Sequence, residues 1–225
     1  MCGRFVQYSL PFPEAMPWPQ LARDLAEMTP RYNLAPTQRA AVILAEGGVP
    51  ALVRLRWGLL PHWIKDLKQS YSTINARIET VAVKPAYRNA WKHRRCVIPM
   101  AGYYEWRPTK TGKQPYYLSA VDGKQLFAAA IWEPRHGLQA IEESGSCCVI
   151  TTDARDAAGI VHDRMPVFLP AELIERYMRA DSDEAMQILM AAPVPALKVR
   201  PVSRRVNAPR DDDAGLLDEI DYVEE

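Results

Sequence analysis

The sequence lacks long apolar runs, internal repeats and the ligand spacings of metal sites. None of its apolar stretches approaches the roughly 20 residues that a membrane-spanning helix needs. Its cysteines and histidines show no C-x-x-C or H-x-x-x-H spacing, and its glycines match no phosphate-binding loop. We therefore expect no metal site, no cofactor and no membrane partner.

Cysteine is scarce as well. Four cysteines in 225 residues are too few for a disulfide scaffold, which predicts a reducing compartment and a cytoplasmic protein. Cys147 and Cys148 are adjacent on a predicted strand, so their side chains should point to opposite faces of a sheet. They are poor partners for one metal ion.

Basic side chains are missing from the end of the chain. The last fifteen residues, DDDAGLLDEIDYVEE, contain eight acidic residues and no Lys or Arg. The net charge of +1 therefore conceals 28 basic against 19 acidic side chains, a formal +9, on residues 1–210. This division predicts one domain over residues 1–210 with a polyanionic partner, and a flexible acidic tail over residues 211–225. Charge asymmetry of this kind is also compatible with an inert, solvated tail.

Segments with strand character dominate the rest of the sequence. Helical spacing is found in QLARDLAEM, and Asp181 with Glu184 fits a capping box at the start of a further helix. Strands are predicted from β-branched and aromatic enrichment in CGRFVQYS, AAVILAE, ALVRLRWG, RCVIPMAGYYEW, QPYYLSAV, QLFAAAIWE, SCCVITT, MPVFLP and ALKVRPVS. No regular alternation of strand and helix is present. The fold class predicted is α+β with a curled, mostly antiparallel sheet.

Cys2 raises the first chemical question. Initiator methionine is usually removed when a small residue follows it, and Cys2 would then carry a free α-amine and a thiol. The ordinary pKa values of these groups, about 8 and 8.5, leave both partly deprotonated near neutral pH. The pentapeptide MCGRF by itself fits a small buried residue equally well.

Three further segments carry polar residues that are unusual for a core. Asn75 and Arg77 have the alternate spacing that places two side chains on one face of a strand. Glu105 lies inside an aromatic run, where burial would raise its pKa and suit a general acid. His162 directly follows an apolar run. A hydrogen-bonded Asn, a solvent-facing Glu and a structural His are equally compatible with each segment taken singly.

Taken together, eight motifs resemble the SRAP (SOS response-associated peptidase) family. They span residues 2 to about 207 and occur in the order CGRF, RYNLAPTQ, WGLLPHW, NARIET, VIPMAGYYEW, VITT, HDRMP and VSRRVN. The resemblance implies an α+β body built around a barrel-like, mostly antiparallel sheet. It also implies that Cys2 lies at the position of the family's nucleophile.

The resemblance implies that the protein recognises abasic sites in single-stranded DNA and crosslinks to them covalently. It also implies a monomer, is compatible with a lyase activity, and implies association with the nucleoid if the source is bacterial. The catalytic positions implied are Cys2, Asn75, Glu105 and His162. The DNA-binding positions implied are Arg4, Asn33, Pro36, Trp63, Arg77 and Thr151.

Two other functions are compatible with these residues. One is a cysteine hydrolase in which the Cys2 thiol attacks a peptide carbonyl with His162 as its base, including self-removal of Met1. The other is a DNA-binding module without covalent chemistry, in which Cys2 is incidental. Covalent capture of an aldehyde-bearing oligonucleotide would distinguish abasic-site crosslinking from both the hydrolase and the non-covalent module.

Overall fold

The computed structural model describes residues 2–11, 18–45, 48–61, 63, 73–134 and 145–222. Its twelve strands in this part of the chain are β1 (Arg4–Gln7), β2 (Arg31–Leu34), β3 (Arg39–Leu44), β4 (Ala51–Trp57), β5 (Asn75–Arg77), β6 (Arg95–Met100), β7 (Gly102–Thr109), β8 (Gly112–Ala120), β9 (Leu126–Pro134), β10 (Gly145–Asp153), β11 (Arg164–Pro166) and β12 (Leu197–Pro201). The α-helices of the same part are α1 (Pro19–Ala26), α2 (Arg88–His93), α3 (Asp156–Gly159), α4 (Ile174–Arg179) and α5 (Ser182–Ala191).

The strands form two sheets. The first is antiparallel with the order β12-β8-β7-β1-β2, so the strand that follows Cys2 lies inside a sheet. The second has the order β11-β10-β4-β3-β6-β9, and β5 pairs with β10 beside this path. Among the strands of the described residues, parallel pairing occurs only between β10 and β4 and between β10 and β5. The predicted α+β class with mostly antiparallel, barrel-like pairing is confirmed.

Three apolar clusters order these elements into layers. One cluster lies between the sheets and contains Cys2, Phe5 and Tyr103 from the first sheet and Val149 from the second. A second cluster packs the helices against the second sheet. A third covers the remaining face of the first sheet. We call the face of the first sheet that turns toward the second sheet the inner face, and the other the outer face.

Alternation along the strands explains how side chains reach these clusters. On β10, Cys147 joins the cluster between the sheets and Cys148 the helix-covered cluster, as the sequence predicted for adjacent strand residues. On β7, Gly102 allows close contact with β8, because a Cβ atom at this position would lie 2.5 Å from the backbone oxygen of Leu118. Larger residues are therefore excluded directly before Tyr103.

The start of α5 agrees with the local sequence signal. The Asp181 side chain accepts hydrogen bonds from the backbone N–H groups of Asp183 and Glu184, which confirms the predicted cap of α5. Strand β2 was not among the predicted strands, since RYNL is short, half polar and followed closely by Pro36. It becomes a strand by pairing with β1. Within the described part of the chain, no helix is both long and apolar enough to cross a membrane.

The acidic end of the chain is packed against the body over residues 211–222, in contrast to the flexible tail that composition predicted. Asp212 accepts hydrogen bonds from the backbone N–H groups of Tyr32 and Asn33 and from Arg31 Nε. Leu216 is fully buried in the outer cluster. Charge counting missed this because a net charge does not record specific contacts such as the hydrogen bonds of Asp212 and the burial of Leu216. Residues 223–225 lie outside the described residues.

Candidate active site around Cys2

Cys2 lies two residues before β1, in the core between the sheets. Its side chain has no exposed surface. Strand β1 pairs with β7 in the register Phe5↔Tyr103, which brings the start of the chain beside the aromatic run of β7. The Cys2 Sγ atom donates a long hydrogen bond of 3.8 Å to the backbone oxygen of Arg4. A thiol at this position is thus held within the fold and excluded from bulk water.

Asn75 reaches Cys2 from the opposite sheet. It is the first residue of β5, where parallel pairing sets it beside Val149 of β10. Its Nδ2 donates a hydrogen bond of 2.7 Å to the backbone oxygen of Cys2. Its Oδ1 atom is buried and has no hydrogen-bond partner among the described residues. Tyr87 fixes the Asn75 backbone by a hydroxyl hydrogen bond of 3.1 Å. The amide therefore offers a free acceptor next to the start of the chain.

Glu105 is the buried acid of the site. It lies on β7, two residues after Tyr103 and on the same inner face, and only 3% of its surface is exposed. Burial raises the pKa of this carboxyl to about 7, against the opposing effect of the positive charge at the amino terminus. A carboxyl with this pKa holds its proton part of the time near neutrality, which is the property of a general acid.

The pKa of the Cys2 thiol is shifted in the same direction as that of Glu105. Its pKa is raised, first by burial and then by the charge of Glu105. The thiol is therefore the resting form at neutral pH, and a thiolate would need a hydrogen-bond donor to stabilise it.

His162 lies between α3 and β11, at the partly exposed edge of the site. Its Nδ1 accepts a hydrogen bond of 3.0 Å from the backbone N–H of Arg164. The carboxylate of Asp163 lies 2.7 Å from the same nitrogen, but that contact requires a protonated Nδ1. Burial lowers the pKa of His162, and the amino terminus adds to this effect. We favour the neutral ring, with Nδ1 as acceptor and Nε2 carrying the proton.

Arg164 ties the strands around this edge together. Its guanidinium makes a bidentate pair with Glu79, a hydrogen bond to Asp153, and a hydrogen bond of 2.7 Å to the backbone oxygen of Thr151. The hydrogen bonds from Arg164 hold the pKa of Glu79 below its usual value. Arg77, which pairs with Thr151 across the strands, is exposed. This network presents Arg77 to solvent from a fixed strand.

Several predicted DNA-binding residues lie apart from Cys2. Arg4 and Asn33 are on the outer face, where Arg4 donates to Asn33 Oδ1 and to the backbone oxygens of Val206 and Asn207. Asn33 is fully buried, and its Nδ2 donates to three backbone carbonyls of residues 206–211. A side chain with no exposed surface contacts DNA only if this network opens. The first sheet therefore stands between these two side chains and the thiol.

The other predicted DNA contacts differ in exposure. The Thr151 side chain is fully buried, and its hydroxyl donates a weak hydrogen bond of 3.4 Å to the backbone oxygen of Ala76. Pro36 is half-buried in a turn after β2. Trp63 is 47% exposed, which makes its ring available for stacking. Arg77 and Trp63 are thus the predicted DNA-binding residues with the most open surface.

Sequence reasoning missed three residues that shape the site. The sequence assigned no role to Tyr103, Tyr87 or Arg164. Their roles depend on segments that are separate in the sequence: Tyr87 contacts the Asn75 backbone, Arg164 contacts Glu79, and Tyr103 packs in the same cluster as Cys2. No group of three or more His, Cys, Asp or Glu side chains in the described residues is arranged to hold a metal ion.

The fold and the site together define a mixed α+β protein with a buried cysteine next to its start. The sequence profile of the family described as SOS response associated peptidase (SRAP) matches residues 1–209, so the chain belongs to the SRAP family. It is 33% identical to "Abasic site processing protein YoaM" of Bacillus subtilis (strain 168), over 99% of this chain and 100% of that protein. It is 29% identical to "Abasic site processing protein YedK" of Escherichia coli (strain K12), over 98% and 100% of the two chains.

Solved structures agree with this assignment. The crystal structure of a phage-related protein from Bordetella bronchiseptica matches with a TM-score of 0.70 and 29% identity, over 90% of this chain and 95% of that one. A protein from Bacteroides thetaiotaomicron shares the fold with a TM-score of 0.72 at 23% identity, over 87% and 88% of the two chains.

Proposed function

We propose that this protein recognises abasic sites in single-stranded DNA and forms a covalent crosslink to them through Cys2 after Met1 is removed. The curated relatives described above are named abasic site processing proteins, and this supports the substrate. The single observation that carries the mechanism is the placement of Cys2. A buried thiol lies beside a hydrogen-bonding amide, Asn75, and within electrostatic range of a carboxyl, Glu105, whose pKa is about 7.

The chemistry follows from having an amine and a thiol on one residue. The open-chain form of an abasic deoxyribose carries an aldehyde at C1′. The Cys2 α-amine attacks this carbon and one water leaves, giving an imine. The thiol then adds across the C=N bond: sulfur bonds to C1′ and the proton passes to nitrogen. The product is a five-membered thiazolidine, and closure is favoured because both nucleophiles are on one residue.

The neighbouring residues have roles that fit these steps. A protonated Glu105 opens the sugar ring and assists the loss of water. Asn75 positions the amine with its free amide oxygen. Neutral His162 accepts or passes a proton at the edge of the site. Ring closure removes the imine, which would otherwise acidify the sugar C2′ hydrogens and promote strand cleavage by β-elimination.

The DNA strand would approach along the exposed Arg77 and Trp63. An arginine on a fixed strand suits a phosphate, and an indole suits a base or the space beside the missing one. We propose that binding favours single strands because an abasic sugar must leave the stack to reach a buried residue.

A cysteine hydrolase is less well supported by the site. Hydrolases of this kind use a thiolate whose pKa is lowered by a paired imidazolium. Here burial raises the pKa of the thiol, and the pKa of His162 is lowered, so neither group is in the required form at rest. An imine is a more reactive electrophile than a peptide carbonyl, and its nitrogen can accept the proton that the thiol loses, so no paired imidazolium is required.

Intact mass spectrometry tests this proposal. The protein is incubated with an abasic single-stranded oligonucleotide, with an undamaged oligonucleotide of the same sequence as control. We expect a product with the summed mass of protein and oligonucleotide less one water, in which Met1 is absent. A matched variant with an alanine inserted between Met1 and Cys2 should give no product. Undiminished crosslinking by that variant would contradict the mechanism.

A further inference from the structure

Tyr103 carries a polar group that the proposed mechanism does not yet use. Its side chain is fully buried on the inner face of the first sheet, in the same apolar cluster as Cys2. Its hydroxyl is buried and has no hydrogen-bond partner among the described residues. Leaving a buried hydroxyl unpaired costs about 1–3 kcal/mol, so an unpaired hydroxyl in a core calls for an explanation.

The surroundings of the hydroxyl point to the reaction site. Tyr103 and Glu105 are two residues apart on β7 and face the same way. The pKa of Tyr103 is raised by burial and then by the charges of Cys2 and Glu105, so the hydroxyl lies within electrostatic range of both. The ring itself is held by packing, with Phe168 at a centroid distance of 5.9 Å. The hydroxyl is thus fixed in place by apolar contacts alone.

The present hydrogen bond of the Cys2 thiol cannot survive ionisation. As a thiol, Sγ donates to the backbone oxygen of Arg4. A thiolate has no proton to donate and is repelled by a carbonyl oxygen, so it must turn toward a donor. One of the two N–H groups of the Asn75 amide is engaged with the Cys2 backbone oxygen. The Tyr103 hydroxyl is a free donor in the same cluster.

We propose that the Tyr103 hydroxyl donates a hydrogen bond to Cys2 Sγ when the thiol loses its proton, which makes Tyr103 a catalytic residue of ring closure. The inference rests on the function proposed above for Cys2. The thiol proton passes to the imine nitrogen, the sulfur atom bonds to C1′ as the C=N double bond becomes a single bond, and Tyr103 keeps its own proton throughout. The unpaired hydroxyl of the resting protein is therefore a donor held ready for this step.

Tyr103→Phe is a sharp test because it removes the oxygen and keeps the ring. A merely structural tyrosine predicts lower stability on this change. We expect a melting temperature no lower than that of the parent, since the hydroxyl has no partner to lose. Tyr104→Phe is the matched control: it is the next residue on the same strand, but its hydroxyl lies on the outer face and donates to the Tyr32 backbone oxygen at 2.8 Å.

The decisive measurement is the pH titration of the Cys2 thiol in the full chain lacking Met1. It is read as thiolate ultraviolet absorbance, with each variant's own Cys2→Ala form as blank. Hydrogen bonds to charged groups are strong enough to shift a titration midpoint by about one unit or more. We expect Tyr103→Phe to raise the midpoint by that amount and Tyr104→Phe to leave it unchanged. The ionisable groups that act on Cys2, Glu105 and the amino terminus, are the same in all forms.

Crosslinking to an abasic single-stranded oligonucleotide gives the second readout. At neutral pH the rate for Tyr103→Phe should fall about tenfold, and the loss should diminish as pH rises through the new midpoint. An unchanged midpoint, or a parent thiol that does not ionise while the protein is folded, would overturn the assignment. Failure of the parent to crosslink would instead reject the proposed function, and the thiol titration would still decide whether Tyr103 binds the thiolate.

Discussion

The two faces of the first sheet differ in the hydrogen bonding of two adjacent tyrosines, Tyr104 on the outer face and Tyr103 on the inner face. On the outer face, Arg4 donates to three acceptors and the Tyr104 hydroxyl donates to a backbone oxygen. On the inner face the Tyr103 hydroxyl has no partner among the described residues, and the Asn75 Oδ1 atom opposite it has none either. The hydrogen-bonded groups fix the fold. Buried polar atoms without a partner among the described residues also occur elsewhere, as at Ser119 Oγ on β8, but the Tyr103 hydroxyl and the Asn75 oxygen are the ones beside Cys2. Polar groups without partners next to a buried thiol are typical of a site where a reacting molecule supplies the missing hydrogen bonds.

Among substitutions on the two faces, Cys2→Ser on the inner face should have the largest effect on crosslinking. Serine keeps the α-amine and nearly the same shape, but a hydroxyl captures an imine poorly at neutral pH. We expect stable crosslink to an abasic oligonucleotide to disappear without reductant, while borohydride still traps the imine and strand cleavage increases. Denaturing gels with and without borohydride measure this. A variant that binds DNA but is not trapped would remove the amine from the mechanism.

Glu105→Gln should slow the inner-face chemistry without abolishing DNA binding. Glutamine keeps the size of the side chain but has no acidic proton, and loss of a general acid typically costs about 10²–10⁴-fold in rate. In the parent, the rate of ring opening should fall as pH rises through about 7, because the protonated carboxyl is the active form. Single-turnover crosslinking across this pH range measures both effects. A variant within a few-fold of the parent would leave Glu105 only a structural role.

The same carboxyl predicts a pH dependence of folding. The pKa of Glu105 is raised from an ordinary 4.5 to about 7, so the folded protein holds this proton more tightly than the unfolded chain. Its contribution to stability is therefore fully present below about pH 4.5 and is lost as pH rises through about 7. The melting temperature of the parent relative to Glu105→Gln should fall over this interval. A constant difference would show that the carboxyl is not buried in solution.

On the outer face, Asp212→Ala should lower stability and leave the chemistry of the folded protein unchanged. The substitution leaves the N–H groups of Tyr32 and Asn33 and the Arg31 side chain without their shared acceptor. We expect a loss of about 1–3 kcal/mol in chemical unfolding. The control is Asp122→Ala, which removes an exposed ion pair with Lys124 at 3.7 Å and an exposed hydrogen bond from the Lys124 backbone N–H, and should cost less than about 1 kcal/mol. A crosslinking defect in folded Asp212→Ala would show that the chemistry of the inner face depends on contacts of the outer face, against this prediction.

The smallest effect is expected from Arg77→Ala, at the exposed edge of the inner site. Removing one phosphate contact should reduce the slope of log K against log salt by about 0.7 for a single strand. Binding to intact and abasic oligonucleotides should weaken alike. Titrations at several salt concentrations measure this, with Arg107→Ala on β7 as a comparison. If crosslinking is lost while binding and its salt slope are unchanged, Arg77 belongs to the chemistry instead.

The sequence by itself determined the family, the fold class and the identity of the residues around Cys2. Its motifs are short and local, and each keeps its order along the chain, so Asn75, Glu105 and His162 could be named without coordinates. Strand alternation also predicted that Cys147 and Cys148 would face different clusters, because that property depends only on neighbouring positions in one strand.

Only the tertiary structure decided which of these residues meet and which side chains are left without a partner. Arg4 is two residues from Cys2 but turns to the outer face, where it binds residues about 200 positions away. The acidic end of the chain, predicted as flexible, is held at Asp212 by backbone N–H groups of β2 and at Leu216 by the outer cluster. The unpaired hydroxyl of Tyr103 is visible only when every neighbour is in place. Hydrogen bonding and burial depend on contacts between remote segments, and no local pattern in the sequence records them.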